Sequence, residues 1–289
     1  MANTNFDAAD PMKQFRCPNR VRVWNAPQSG GETRFIFKEI FERRCYEQHG
    51  VAIADGDVIL DIGANVELFA LSVMERFRGV KMLCVEPVPN TRACLERNVT
   101  ESPWRNHHEI AIVASAIGST TSKTTITFFR GRRAIRPCIC RKRDRSGTVV
   151  DEILPSRIWR LNKLFALAPR RLFTWFIRPL FDHAVTLPCE VCTLSDLIRR
   201  QSLERVDLLK IDIEGAEIEA LQGIEEQDWQ KIQQLAIEVA PAHKDALTPL
   251  SDRLQFIGFA TVAIESFHGG SVITDDPMPC MLYAVRAPR

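Results

Sequence analysis

No apolar run in the 289-residue sequence approaches the roughly 18 residues that a membrane-spanning helix requires, so no transmembrane segment is expected. The first fifteen residues, MANTNFDAADPMKQF, lack a basic stretch followed by an apolar one. Secretion by a signal peptide is therefore not expected, and a cytoplasmic location is. An even cysteine framework is also missing. The nine cysteines are odd in number and scattered from Cys17 to Cys280, in a chain long enough to be held by its core. They read as reduced thiols. There is no internal repeat at solenoid spacing and no low-complexity tract beyond one basic stretch, which excludes repeat architectures.

What is present is a globular balance, 45% apolar and 26% charged, which suits one large domain or two small ones with a sizeable core. The net charge of +2 conceals an asymmetry. Between Arg130 and Arg178 stand 14 Lys or Arg against three acids, a local +11, which leaves −9 for the rest of the chain. One segment carries the positive field.

Strand signals alternate with helix signals. DVILDIGA (57–64) is a short apolar run closed by glycine, and a helix-period pattern of Leu68, Phe69, Leu71, Val73 and Phe77 follows it. KMLCVEP (81–87) predicts a second strand, 90–99 a polar helix, and 108–116 a third strand. VDLLKID (206–212) predicts a fourth, with EGAEIEALQGI behind it as a helix, and QLAIEVA (234–240) a fifth. The tail offers a helix near 247–256 and two strands, FATVAIES and PCMLYAVR, spaced as an antiparallel pair. Alternation of this kind predicts an α/β fold, a doubly wound and mostly parallel sheet with crossover helices. Residues 1–55 are expected to form a leader and cap, and 56–289 the main domain. A basic, helical insertion at 130–187 interrupts the pattern between strands three and four.

In such a sheet, ligands bind outside the carboxyl ends of the strands, where helix N-termini supply free N–H groups. Strand one ends in Asp61, Gly63, Ala64 and Asn65, small residues that allow close backbone approach. Strand two ends in Glu86, at the separation from Asp61 where an acid commonly meets ribose hydroxyls. By themselves these residues fit a tight turn and a surface carboxylate equally well.

The blocks GDVILDIGANVELFAL, VEPVPNTRACLERNV and LLKIDIEGAEIEALQGI resemble the signature blocks of the FkbM family of S-adenosylmethionine-dependent methyltransferases, and TRFIFKEIFERRCYEQHGV resembles its leader. The matches cover residues 33–99 and 192–239. The resemblance implies a class I, Rossmann-like methyltransferase fold, S-adenosylmethionine as cofactor and methylation of a hydroxyl. Carried over position by position, it implies that Asp61, Gly63, Ala64 and Asn65 line the methionine end of the cofactor. Glu86 takes the ribose with Asn90 beside it, and Ser115 and Ala116 lie near adenine. One position departs. The family usually reads G-A-N-x-G, and Glu67 stands where its last glycine would be. That side chain either crowds the cofactor or points away as the start of the helix.

Methyl transfer is an in-line displacement, so the protein must hold the acceptor oxygen and remove or mask its proton. Carboxylates at strand ends suit both tasks: Asp212 and Glu214 after strand four, and Glu238 at the end of strand five. Glu214 and Glu217, three apart on a predicted helix, would share a face. Glu214 serves equally well as a helix-capping carboxylate. His243 is an alternative base, and Lys210, mid-strand, is expected to pair with a carboxylate. No metal is expected, although Asp212 and Glu238 are similar to the Mg²⁺-holding positions of catechol-type O-methyltransferases. Cys138, Cys140, Cys189 and Cys192 could be read as a zinc set, but residues three apart on the strand LPCEVC face opposite sides.

The aromatics Trp159, Phe165, Phe173, Trp175, Phe176 and Phe181 interleave with Arg and Lys in the insertion. The segment reads equally as a covering helix and as an acceptor lid or a dock for an acidic partner, with peripheral membrane contact through 157–181 a further reading. No nucleic-acid motif accompanies the charge. The function expected is an O-methyltransferase for a small-molecule or carrier-tethered acceptor of anionic character, in specialised metabolism or sugar modification. The alternative is a methyltransferase-like binding protein without catalysis.

Overall fold

The computed structural model describes residues 11–27, 29–129, 184–266 and 279–287. An antiparallel hairpin of β1 (Lys13–Arg16) and β2 (Arg22–Asn25) opens it, followed by α1 (Gly30–Phe37) and a π-turn at Lys38–Glu42. The main sheet then begins with β3 (Val58–Ile62), α2 (Leu68–Arg76), β4 (Lys81–Val85), α3 (Pro89–Thr100) and β5 (Glu109–Val113). Pro89 suits the first turn of α3, where its missing N–H would have had no helical acceptor.

Three strands leave this sheet: β6 (Ala116–Ile117), β7 (Ser122–Phe129) and β8 (Ala184–Cys192) form a separate sheet in the order β6-β8-β7. The chain returns through α4 (Leu194–Arg200), β9 (Leu208–Ile211), α5 (Glu217–Gln222), α6 (Glu226–Trp229) and β10 (Gln234–Val239). It closes with α7 (Leu247–Phe256), β11 (Phe259–Ser266) and β12 (Cys280–Arg286).

The seven-stranded sheet has the order β11-β12-β10-β9-β3-β4-β5. Neighbours from β10 to β5 are parallel, and β12 runs antiparallel to both β10 and β11. This is the doubly wound, mostly parallel class I methyltransferase arrangement, with β3 and β9 at its centre. Strands β3, β4 and β9 are buried almost throughout, which explains why they read as continuous apolar runs and not as alternating ones.

Two apolar cores cover the faces. On one, Val23, Phe37 and Ile40 of the leader pack with Phe69, Leu71 and Met74 of α2 and Leu95 of α3. Helix α2 is buried on every side from Leu68 to Met74 because it lies between sheet and leader. On the other face Leu197, Leu221, Trp229 and Leu254 pack against Leu60, Ile211 and Ile237.

Two expectations change. The predicted third strand is split: β5 stops at Val113, and Ala116 starts β6 in the other sheet. Residues 184–187, expected within the helical insertion, instead open β8, whose LPCEVC is the strand expected and pairs antiparallel with TTITFF of β7. Residues 130–183, and with them Cys138, Cys140, the helical reading and all of 157–181, lie outside the described residues. Cys189 and Cys192 are both buried free thiols on opposite faces of β8, the first packed with Val88 and Ile126, the second with Leu194.

Candidate active site

The carboxyl ends of β3, β4, β9 and β10 meet along one edge, and the expected site residues gather there. In the centre Asp61 on β3 stands opposite Lys210 on β9 in the strand register. Lys210 Nζ donates to Asp61 Oδ1 at 2.7 Å and to the Gly63 carbonyl at 3.1 Å, with the two side chains 0% and 3% exposed for Asp61 and Lys210. Lys210 thus finds its carboxylate, and Asp61 acts on the turn above it through the ammonium instead of facing solvent.

That turn, residues 63–67, is held from several directions. Gly63 has φ +81°, and a Cβ there would lie 2.0 Å from the Asp212 carbonyl oxygen, so only glycine lets the β3 and β9 loops touch. The Asn65 N–H donates to Glu86 Oε2 at 3.1 Å, and the Val88 N–H donates to Glu86 Oε1 at 2.9 Å. Asn98 of α3 donates to the Val66 carbonyl at 2.7 Å, and its amide also exchanges hydrogen bonds with the Trp24 backbone. Asn98 was not among the sequence candidates. Its signal is position, since it falls on the same buried helix face as Cys94 and Leu95.

Glu67 is fully buried and turned under the turn, away from its outer face. Its φ is +77°, and its Oε1 caps α2 by accepting from the Ala70 N–H at 3.1 Å. Burial first, and then the neighbouring Asp61 charge, push its carboxyl well above the ordinary range. Ser115, expected near adenine, is buried and donates to the Ala116 and Glu190 carbonyls, which ties β6 to β8. Asn90 lies partly buried in the first turn of α3.

On the other side of the Gly63 contact stand the carboxylates of Asp212, Glu214 and Glu238, with one oxygen from each within 4.8 Å of the others. Tyr46, from the leader, donates its hydroxyl to Asp212 Oδ2 at 2.8 Å. The expected helix face shared by Glu214 and Glu217 does not form. Glu214 (φ +54°) and Gly215 (φ +105°) make a left-handed turn, and α5 begins only at Glu217. The capping role expected of Glu214 is not seen, since α5 has no side-chain cap; Glu217 Oε1 instead accepts from the Gly215 N–H of the preceding turn at 2.7 Å. Its Oε2 faces His243 Nδ1 at 3.6 Å, which raises the histidine pKa above its ordinary value.

A model of the FkbM methyltransferase domain matches residues 61–257, which run from the Asp61 turn through both carboxylate clusters. The chain belongs to the FkbM methyltransferase family. It is 29% identical over 262 residues to the 31-O-demethyl-FK506 methyltransferase FkbM of Streptomyces tacrolimicus, covering 88% of this chain and 92% of that protein. It is also 29% identical over 215 residues to the methyltransferase sdnD of Sordaria araneosa, with 72% and 74% covered. Among solved structures it is similar to the METTL16 methyltransferase domain at TM-score 0.41 and 12% identity, with 88% and 67% covered.

As a member of the FkbM family the protein is an S-adenosylmethionine-dependent methyltransferase, and its residues fit that cofactor. The Asn65 and Val88 N–H groups fix the orientation of the Glu86 carboxylate at the end of β4. Among the described residues no helix is long and apolar enough to cross a membrane.

Proposed function

We propose that this FkbM-family enzyme is an O-methyltransferase that acts on a hydroxyl of a small molecule or biosynthetic intermediate of the natural-product type. The observation that carries this reading is the convergence of Asp212, Glu214 and Glu238 beside the Gly63 turn, since a hydroxyl needs a proton acceptor where an amine often does not. The name of the Streptomyces tacrolimicus relative, which denotes methylation of an O-demethyl compound, supports it.

In this reading the Gly63–Asn65 backbone and Glu86 hold the methionine and ribose portions of the cofactor. When bound, the cofactor supplies a methyl group on a sulfonium as the electrophile. Asp212 or Glu238 would hold the acceptor hydroxyl and take its proton. Tyr46 keeps Asp212 in one orientation through its hydroxyl. His243, in the Pro241–Ala246 turn with Glu217 3.6 Å behind it, is a second candidate base. Acidic groups cluster commonly without an ion, and no step here requires Mg²⁺.

The basic segment with its local +11 favours an anionic or carrier-tethered acceptor, because such a field raises the local concentration of anions. The test is incubation with S-adenosylmethionine and a panel of hydroxyl-bearing macrolides, sugars and acyl intermediates, with products characterised by mass spectrometry and NMR. A methyl ether is expected, and Asp212→Asn or Glu238→Gln should lower kcat by about 10². Methylation of nitrogen or carbon instead would overturn the reading. Activity that collapses on chelation and returns with Mg²⁺ would replace the metal-free base with a metal-assisted one.

A further inference from the structure

The departure at residue 67 is the feature that family membership leaves unexplained. A glycine would adopt φ +77° freely, whereas a glutamate is strained there, so its side chain must return something. What it returns is visible beneath the turn. Glu67 Oε1 accepts from the Ala70 N–H, its backbone N–H donates to the Ala64 carbonyl at 3.0 Å, and its carbonyl accepts from the Leu71 N–H at 3.1 Å. One residue therefore joins the cofactor turn to the first turn of α2.

The carboxyl is buried among charged and polar groups contributed by three strands of the sheet. Asp61 comes from β3, Cys84 from β4 and Lys210 from β9. One ligand-capable atom each of Asp61, Glu67 and Cys84 lies within 4.8 Å of the others, and all three side chains are buried. The charge balance decides the form of the acid. Lys210 supplies one positive charge, which Asp61 meets at 2.7 Å, so an ionised Glu67 would add a second negative charge, with no ion pair to it among the described residues. A neutral acid avoids that cost. Burial and Asp61 both act in this direction on Glu67 and outweigh the Cys84 hydrogen bond, the Lys210 charge and the Ala70 N–H, which act against it, while burial also pushes the Cys84 thiol well up.

We infer that Glu67 is a positioning residue of the cofactor site, a neutral carboxylic acid that locks the 63–67 turn to α2 from below and leaves the turn's outer face to the cofactor. The inference rests on the reading that this turn and Glu86 hold S-adenosylmethionine. A neutral lock acts through the shape of the turn, so it affects the sulfonium cofactor and its uncharged-sulfur product equally. A charged Glu67 would instead favour the sulfonium.

The test is calorimetric binding of S-adenosylmethionine and S-adenosylhomocysteine to wild type, Glu67→Gln and Glu67→Asp from pH 6 to 9, with thermal unfolding of the same proteins from pH 5 to 8. Glu67→Gln, the neutral isostere, should bind both compounds within about twofold of wild type at pH 6.5. Glu67→Asp, one carbon too short to reach Ala70 in the same pose, should lose about tenfold for both at every pH. In the unfolding series Glu67→Gln should gain on wild type as pH rises above about 4.5, because the unfolded wild-type chain releases a proton that the folded one keeps. Glu67→Gln weakening the sulfonium compound by tenfold or more with little change for the thioether would overturn the inference in favour of a charged Glu67. A pH-independent gap in melting temperature would overturn it too. Failure of the wild type to bind either compound would overturn the cofactor-site reading and the inference with it, and is told apart by the unfolding series, which needs no cofactor.

Discussion

Lys210→Met should be among the most damaging substitutions in the sheet. The ammonium and the Asp61 carboxylate are 3% and 0% exposed and 2.7 Å apart, so removing one partner leaves the other buried and uncompensated. Breaking a buried pair in this way costs about 3–5 kcal/mol. In a chain of this size that corresponds to a fall of roughly 5–15 °C in Tm. Lys210 also holds the Gly63 carbonyl, so the loss lands on the cofactor turn as well as on the core. The double variant Asp61→Asn/Lys210→Met buries no charge, and should be less destabilised than the sum of the two single variants by about 2 kcal/mol or more. Urea denaturation of the four proteins at one pH measures the cycle. Single variants that each cost under about 1 kcal/mol, and that add without coupling, would refute the account of this pair.

Gly63→Ala should destabilise the protein by at least about 2 kcal/mol, measured by urea unfolding, because it combines φ +81° with a Cβ placed 2.0 Å from the Asp212 carbonyl oxygen. Tyr46→Phe removes the hydroxyl donor to a buried Asp212 oxygen and should cost about 1–3 kcal/mol by the same assay. His243 titrates above its ordinary value because Glu217 favours the imidazolium. Its contribution to stability is therefore complete below about pH 6.5 and is lost as pH rises through the folded value. Unfolding of His243→Gln against wild type across pH 5.5–8.5 should show a gap that closes with rising pH. The acceptor KM should rise with ionic strength while cofactor affinity stays constant, an outcome that reversing charge at Arg141, Lys142 and Arg143 should reproduce in steady-state kinetics.

The sheet was legible because parallel strands buried on both faces write themselves as apolar runs: VILDI, KMLCV, LLKI and QLAIEV each appear as β3, β4, β9 and β10. Helix α7 and the β11–β12 pair were equally legible from period and spacing. The carboxylates at the strand ends followed from the same logic, since in this topology a strand's last residue is already at the rim. What escaped the sequence was contact between distant segments. Tyr46 reaches Asp212 across 166 residues, and nothing in the leader's local pattern marks it. The Glu214–Gly215 turn was hidden because EGAEIEAL has helical periodicity from its first residue, and the left-handed pair that delays α5 shows only in its glycine. The β6-β8-β7 sheet was obscured by the basic residues that follow TTITFF, which made the whole segment look like insertion. Glu67 reads from the sequence as either crowding or avoiding the cofactor, and its burial among side chains of three strands has no local sequence signal.

The central claim is that the ends of β3 and β4 hold the cofactor. Titration calorimetry of S-adenosylmethionine against wild type and Glu86→Ala tests it most directly, because Glu86 joins the Asn65 turn to the β4 end. The account predicts micromolar-scale binding to the wild type and a loss of about tenfold or more in the variant, the worth of a charge-assisted hydrogen bond of about 1.5–3 kcal/mol. Absence of binding to the wild type, or a Glu86→Ala affinity equal to it, would contradict the claim.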